Sequence, residues 1–217
     1  MVCEGLSPFI QRYKSWGLNI FPLIHRTKHP ALQWEPYQDK QATEAEYIKW
    51  FSANNVGIGI ICGRISGNFA VIDCDSEDLF LAIAAYWKEA FGDSIEDMTP
   101  IVRSREGHYQ IYLRFREMPR LYHPKGEARN SSPDIQGEGG FVVAPPSIHP
   151  ETGKPYEFLN PDTSTIFELN SVADLEIEVP DGARKLAIPG KSQKIAEGSR
   201  NNVLTSMAGS LRTRGMT

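Results

Sequence analysis

Residues 68–75 read Asn-Phe-Ala-Val-Ile-Asp-Cys-Asp, an apolar run that ends in two carboxylates separated by one residue. In a β-strand the side chains at i and i+2 point to the same face, about 7 Å apart along the backbone. We therefore expect Asp73 and Asp75 on one face of a strand and Cys74 on the other. Paired carboxylates suit Mg²⁺ or Mn²⁺, although such a pair taken alone is more often a solvated strand end.

Two later segments give this pair a context. Residues 101–115 read Ile-Val-Arg-Ser-Arg-Glu-Gly-His-Tyr-Gln-Ile-Tyr-Leu-Arg-Phe, with His108 after a glycine at the start of an alternating strand. Residues 133–149 place Asp134 before a glycine-rich turn, an apolar strand and the sequence Ala-Pro-Pro-Ser. The order along the chain is therefore Asp-x-Asp, then Ser-x-x-Gly-His, then an isolated aspartate before a glycine-rich turn.

This order resembles the archaeo-eukaryotic primase superfamily, specifically the bifunctional primase-polymerase domains of plasmid and phage replication proteins. The resemblance runs from about Gly17 to Phe158 and includes the opening Gly-Leu-Asn-Ile-Phe-Pro-Leu, with Lys28, Pro30 and Trp34. The Gly-His loop is shorter than the usual glycine-rich version. The resemblance implies an α/β (α+β) fold, a primase-type catalytic core with an N-terminal α/β half, an RRM-like half and an active-site cleft between them.

The resemblance also implies roles for individual residues. Asp73, Asp75 and Asp134 would ligate two Mg²⁺ or Mn²⁺ ions, and His108 would bind the phosphates of the incoming nucleotide. Further nucleotide-binding candidates are Ser104, Arg103, Arg105, Ser147 and His149. Candidates for contact with template or primer phosphates are Arg114, Arg116 and Lys125.

The function expected from these motifs is that of a DNA-dependent primase-polymerase acting in plasmid, phage or prophage replication. Its partners would be a single-stranded DNA template, a primer strand, nucleoside triphosphates and a helicase domain or protein. Two alternatives stay open: a repair- or CRISPR-associated nucleotidyltransferase of the same superfamily, and an inactive nucleic-acid-binding module.

Charge is distributed unevenly along the 217 residues, which carry a net charge of −4. Residues 70–99 contain eight acidic residues and one lysine, whereas residues 103–129 contain seven basic and three acidic residues. Such alternation suits a metal site beside a phosphate-binding surface, because bound cations invert the local field of the carboxylates. Ordinary solvated faces would give the same pattern.

The spacing of the cysteines and the hydropathy of the chain argue against several classes of protein. Cys3, Cys62 and Cys74 are widely spaced, so neither a disulfide framework nor a zinc site is expected. No run of about 18 apolar residues is present, and the first residues lack the pattern of a secretory signal. We expect a cytoplasmic protein that has no membrane partner.

Local signals predict the secondary structure. Ser7-Pro8 starts a helix that Gly17 closes, Thr43 and Glu46 form a capping box, and a third helix runs from Leu79 to Phe91 before Gly92. Strands are predicted over 56–62, 69–73, 100–104, 108–115 and 140–144.

Beyond about residue 160, prolines and glycines interrupt any periodic element. We expect a catalytic domain over 1–160, a linker over 161–194 and the start of a C-terminal helical module over 195–217. Within that module Val203, Leu204, Met207, Ala208 and Leu211 form an apolar stripe, so the chain is expected to be a fragment of a longer replication protein.

Overall fold

The computed structural model describes residues 7–52, 55–124 and 132–175. Within those ranges the chain forms four α-helices and nine β-strands. The helices are α1 (Pro8–Ser15), α2 (Glu44–Phe51), α3 (Glu77–Phe91) and α4 (Ile95–Met98). The strands are β1 (Ile20–Ile24), β2 (Val56–Ile61), β3 (Phe69–Cys74), β4 (Ile101–Arg105), β5 (His108–Phe115), β6 (Asp134–Gln136), β7 (Phe141–Ala144), β8 (Glu157–Phe158) and β9 (Phe167–Leu169).

The first sheet has three antiparallel strands in the order β1-β2-β7. The helices α1 and α2 supply buried side chains to the core beside it, among them Tyr13, Tyr47 and Phe51. Strand β7 reaches this sheet only after the chain has passed through the second sheet. The first sheet is therefore completed by a distant part of the sequence.

The second sheet has the strand order β6-β3-β5-β4-β8, and β9 pairs in parallel with β5. The helices α3 and α4 connect β3 to β4. Strand β5 lies between these two strands in the sheet and is antiparallel to both. This connection is a split βαβ unit. The two sheets and four helices confirm the α+β class.

Strand β3 lies between two hydrophobic cores. Its side chains Phe69 and Val71 enter the core shared with the first sheet, whereas Ala70, Ile72 and Cys74 enter the core beneath α3. The alternation follows from the two-residue period of a strand. Because Asp73 continues the row of Phe69 and Val71, its carboxylate points toward the first sheet.

Helix ends follow the predicted signals. Thr43 and Glu46 form the complete capping box at the start of α2, and hydrogen bonds from Thr43 and Tyr37 lower the pKa of Glu46 to about 2. Helix α3 ends at Gly92, whose φ of 86° is the left-handed conformation that glycine adopts without strain. Helix α3 begins at Glu77, two residues earlier than predicted, because Ser76 caps it by accepting from the backbone N–H of Leu79.

The five predicted strands are present with ends shifted by one residue at most. The short strands β6, β8 and β9 were not predicted, because two or three residues are too few to show a periodic pattern.

Residues 161–175, which the sequence assigned to a linker, pack on the second sheet. Strand β9 pairs with β5, and Phe167 packs edge-on against Trp87 with ring centroids 5.1 Å apart. Leu169, Val172 and Leu175 are buried in the core beneath α3. The one proline among them, Pro161, therefore lies at the start of a packed segment. The predicted linker beyond 175 and the predicted helical module over 195–217 lie outside the described residues.

None of the helices within the described ranges is both long enough and apolar enough to span a membrane.

A chain shortened to residues 1–160 is expected to melt at least about 10 °C below one that ends at residue 175. Each buried Leu or Val contributes about 1.5–3 kcal/mol, and in a domain of this size each kcal/mol shifts the melting temperature by about 2–4 °C. Thermal unfolding followed by circular dichroism measures the difference. Equal melting temperatures would show that residues 161–175 contribute nothing to the core.

Candidate active site

A cleft of about 570 Å³ opens between the two sheets. Asp73, Asp75, His108 and Asp134 line it from the second sheet, together with Arg105, Gln110 and Gln136. The opposite wall comes from β7, the loop after β1 and the segment before β8, and its residues are Lys28, Phe141, Val142, Val143 and Tyr156. The three carboxylates and the histidine that the motifs single out therefore line one cavity.

Strand pairing brings three of these side chains into a row across the second sheet. Asp73 is paired in register with Gln110 on one side and with Asp134 on the other. Directly paired residues point to the same side of an antiparallel sheet, with Cβ atoms about 5 Å apart. The row Gln110–Asp73–Asp134 therefore faces the cleft.

Asp73 is only partly exposed, as is Asp134, whereas Asp75 is exposed. Burial, followed by the charges of Asp75 and Asp134, raises the pKa of Asp73 from 3.8 to about 7, and Lys28 and a hydrogen bond from Gln110 oppose the shift. Ionisation of this side chain is therefore costly in the metal-free protein.

Each of the other two carboxylates contacts a histidine. Asp75 Oδ1 lies 3.3 Å from His108 Nδ1, and Asp134 Oδ2 lies 2.7 Å from His123 Nδ1. His108 is one-fifth exposed and His123 half exposed. These contacts turn both carboxylates toward imidazole rings.

The donor atoms in the cleft fit a hard divalent cation. Three carboxylates supply oxygen ligands, and Gln110 Oε1 is buried without a hydrogen-bond partner in the part of the chain that the structure describes. Such oxygen donors are the ligands that Mg²⁺ and Mn²⁺ prefer. The described side chains do not, however, include a preassembled group of three or more His, Cys, Asp or Glu in metal-binding positions. Asp75 and Asp134 each contact a histidine through one carboxylate oxygen, and each has a second oxygen that can ligate a cation.

An irregularity in the pairing of β4 with β5 gives the three neighbouring candidates Arg103, Ser104 and Arg105 different positions. Arg103 is paired with Tyr109, whose ring packs beneath α3 on Phe80, whereas Arg105 is paired with His108 and lines the cleft. The register shifts between the two arginines, so Ser104 is the extra residue. Arg103 contacts Glu157 at 2.8 Å, and the Ser104 hydroxyl lies 3.5 Å from the carbonyl oxygen of His108. Of the three, only Arg105 belongs to the cleft lining.

The structure places Ser147 and His149 within the packing near the cleft. Ser147 Oγ accepts a hydrogen bond from the backbone N–H of Ile58 at 2.8 Å. The His149 ring lies against Tyr156, with centroids 5.6 Å apart, and its pKa is lowered by burial and by the charge of Lys28. Both side chains are buried, and neither belongs to the cleft lining.

The candidates for nucleic-acid contact lie elsewhere. The Arg114 guanidinium donates to the carbonyl oxygens of Trp16, Ser66 and Gly67 and so ties the end of α1 to the turn before β3. Arg116 pairs with Glu168 at 2.9 Å on the surface. Lys125 lies outside the described residues. Neither described arginine lines the cleft, and Arg114 makes contacts typical of a structural residue.

Sequence reasoning assigned no role to several residues at or beside the cleft, including four with polar side chains. Lys28, Gln110 and Tyr156 line it, and His123 contacts Asp134. The i, i+2 relation between His108 and Gln110 is a signal that would have placed Gln110 on the same face. For the other three residues, only the packing of distant segments reveals the location.

Together these features define an α+β protein with an acidic cleft between two sheets. The family profile described as bifunctional DNA primase/polymerase, N-terminal, matches residues 10–175. The match covers more than half of the chain, so the chain belongs to the bifunctional DNA primase/polymerase family, as its motifs indicated. A comparison with curated proteins returned no match.

Membership in this family implies a nucleotidyltransferase-type enzyme with DNA primase or polymerase activity, for which DNA and nucleotides are the substrates and divalent metals the typical cofactors. The matched range includes the packed segment after β9, up to residue 175.

Substituting Asp73 by asparagine is expected to stabilise the metal-free protein at pH 8. Because folding raises the pKa of Asp73 from 3.8 to about 7, the free energy of unfolding of the protein falls as the pH rises through that interval. Asp73→Asn removes this loss and should raise the free energy of unfolding at pH 8 by about 1–3 kcal/mol, with little change at pH 4. Chemical denaturation in the presence of a chelator measures both values.

The exposed Asp39 provides a matched control, because Asp39→Asn removes a carboxylate far from any buried site. If Asp73→Asn and Asp39→Asn had the same effect at both pH values, Asp73 would not be a strained carboxylate.

Proposed function

We propose that the chain is the catalytic domain of a DNA-dependent primase-polymerase, which joins nucleoside triphosphates to a 3′-hydroxyl on a single-stranded DNA template. One observation carries the proposal: the three motif carboxylates and the motif histidine lie on or directly after the three strands β3, β5 and β6, and all line one cleft. The split βαβ order of β3, α3, β4 and β5 supports the primase-type arrangement of two halves around that cleft.

Asp73, Asp75 and Asp134 would hold two Mg²⁺ or Mn²⁺ ions. When bound, such ions neutralise the charge of the triphosphate and lower the pKa of the primer 3′-hydroxyl. The carboxylates of Asp73 and Asp134 would fix where the reacting phosphate lies, because the pairing of β3 with β6 sets their positions.

His108 and Arg105 would donate hydrogen bonds to the phosphates of the incoming nucleotide. Both line the cleft and are paired with each other across β4 and β5. Charge-assisted hydrogen bonds of this kind are short and strong. The apolar side chains Phe141, Val142 and Val143 on the opposite wall would exclude water from the nucleotide.

The biological setting is part of the same proposal. Primer synthesis during plasmid, phage or prophage replication in the cytoplasm, alongside a helicase, accords with the motif order and with family membership. The domain order would be a catalytic domain that ends near residue 175, then a linker, then a helical module from 195.

Synthesis of a primer on single-stranded DNA, with Mg²⁺ or Mn²⁺ and no added primer, tests the proposed activity. We expect products from the wild-type chain and a loss on the order of a hundredfold or more in Asp75→Asn, because a displaced ion misaligns the reacting groups. Asp78→Asn, on the outer surface of α3, is the matched control and should remain active.

Different results would point to the alternatives. Extension of a preformed primer without any initiation would favour a repair-type nucleotidyltransferase. Binding of DNA with no incorporation by the wild-type chain would indicate an inactive binding module. Full activity in Asp75→Asn would contradict the metal site proposed here.

Replacing His108 by alanine is expected to weaken nucleotide binding about tenfold while single-stranded DNA binding changes by less than about twofold, since a lost charge-assisted hydrogen bond has this magnitude. Titration of each ligand against both proteins measures the two changes. Equal losses for the two ligands would mean that His108 has a structural role.

A further inference from the structure

Lys28 lies on the wall of the cleft that faces the carboxylates. It belongs to the loop that follows β1 of the first sheet, whereas the three aspartates belong to the second sheet or directly follow its strand β3. The sequence signals singled out the carboxylates and His108 but gave Lys28 no chemical role. Its position in the lining makes it a cation opposite an acidic row.

Backbone hydrogen bonds hold the loop that carries Lys28. The N–H of Ile24 donates to the carbonyl oxygen of His29 at 2.9 Å, and the N–H of Thr27 donates to that of Ile24 at 3.0 Å. Thr27 Oγ1 accepts from the N–H of His29 and donates to the carbonyl oxygen of Ile24. The backbone of Lys28 is therefore fixed, although its side chain is exposed.

The other basic side chains in the lining are already paired. Arg105 Nη1 lies 2.7 Å from Glu151 Oε2, and His108 Nδ1 lies 3.3 Å from Asp75 Oδ1. Among the described residues no carboxylate lies within ion-pair distance of Lys28 Nζ. Lys28 is thus the basic side chain of the described lining that has no carboxylate partner.

The charge of Lys28 acts on Asp73 in the cleft lining and on the buried His149 nearby. It favours the ionised form of Asp73 and disfavours the protonated form of His149. The three carboxylates outnumber Lys28 and Arg105 by one, and bound divalent cations would reverse that balance. The cleft would then attract a polyphosphate.

We propose that Lys28 binds the β- and γ-phosphates of the incoming nucleoside triphosphate across the cleft from the carboxylates. This inference rests on the proposed function. Bond formation occurs at the α-phosphate, which must lie beside the carboxylates. The two outer phosphates are the groups that can extend to the opposite wall, where Lys28 lies.

A phosphate of single-stranded DNA has the same chemistry as a nucleotide phosphate. The location of Lys28 favours the nucleotide, because a chain of three phosphates can contact the carboxylate side and the opposite wall together. Its test must therefore include a triphosphate, a monophosphate and DNA.

The experiment compares the full chain with Lys28→Met, which removes the charge and keeps most of the side-chain length. Calorimetric titration with a nucleoside triphosphate that is non-hydrolysable between the α- and β-phosphates, in the presence of Mg²⁺, measures affinity without turnover. We expect the dissociation constant to rise about tenfold or more for the triphosphate, and by less than about twofold for the monophosphate and a single-stranded oligonucleotide.

Two further variants sharpen the comparison. Lys28→Arg keeps the charge and should restore triphosphate affinity to within about threefold of the wild type. Lys49→Met removes a lysine from the exposed surface of α2 and should leave all three affinities unchanged.

The outcomes separate this inference from the proposed function. A wild-type chain that binds no triphosphate overturns the proposed function and this inference with it. A wild-type chain that binds the triphosphate while Lys28→Met binds it equally well overturns only the role of Lys28. A loss for the oligonucleotide that equals the loss for the triphosphate would assign Lys28 to DNA instead.

Discussion

The structure depends on the burial of strand β3 on both of its faces. Side chains that alternate along this strand fill two separate cores, so a shift of one residue would exchange the contents of both. The register of β3 against β5 and β6 is therefore strongly specified. Asp73 lies on the same face of the strand as Phe69 and Val71 and points into the cleft, where Gln110 and Asp134 flank it. One constraint thus fixes the hydrophobic packing and the position of the carboxylates.

A partly buried carboxylate beside two others works against folding, because burial and like charges both disfavour ionisation. The cleft contains only partial compensation, from the hydrogen bond that Gln110 donates to Asp73 and from the charge of Lys28. The stability of the domain must come from elsewhere, and the two cores on either side of β3 supply it. The clustering of carboxylates that makes their ionisation costly is also what attracts cations to the site.

Sequence signals predicted those features that depend on local physical rules. The two-residue period of β3, the capping box at Thr43 and the glycine at the end of α3 each act over a few residues, and all three are present. The motif carboxylates and His108 were expected in one cleft, and the structure brings them together.

The remaining features depend on contacts between distant segments. The irregularity in β4 directs Arg105 to the cleft and Arg103 away from it, and no pattern in Arg-Ser-Arg distinguishes the two. Lys28 and Tyr156 enter the lining because the first sheet packs opposite the second. Residues 161–175 carry turn-forming residues that suggested a linker, yet Leu169 and Leu175 are buried beneath α3. In each case tertiary packing outweighed the local signal.

The path of β7 has a consequence for how the domain folds. Strand β2 pairs with β1, which is close in sequence, and with β7, which follows some eighty residues later, after most of the second sheet. Closing the first sheet therefore requires a contact across a long stretch of chain that contains most of the second sheet. We expect the two walls of the cleft to form in one cooperative transition, so that neither half exists as a separate folding unit on which the other is later assembled.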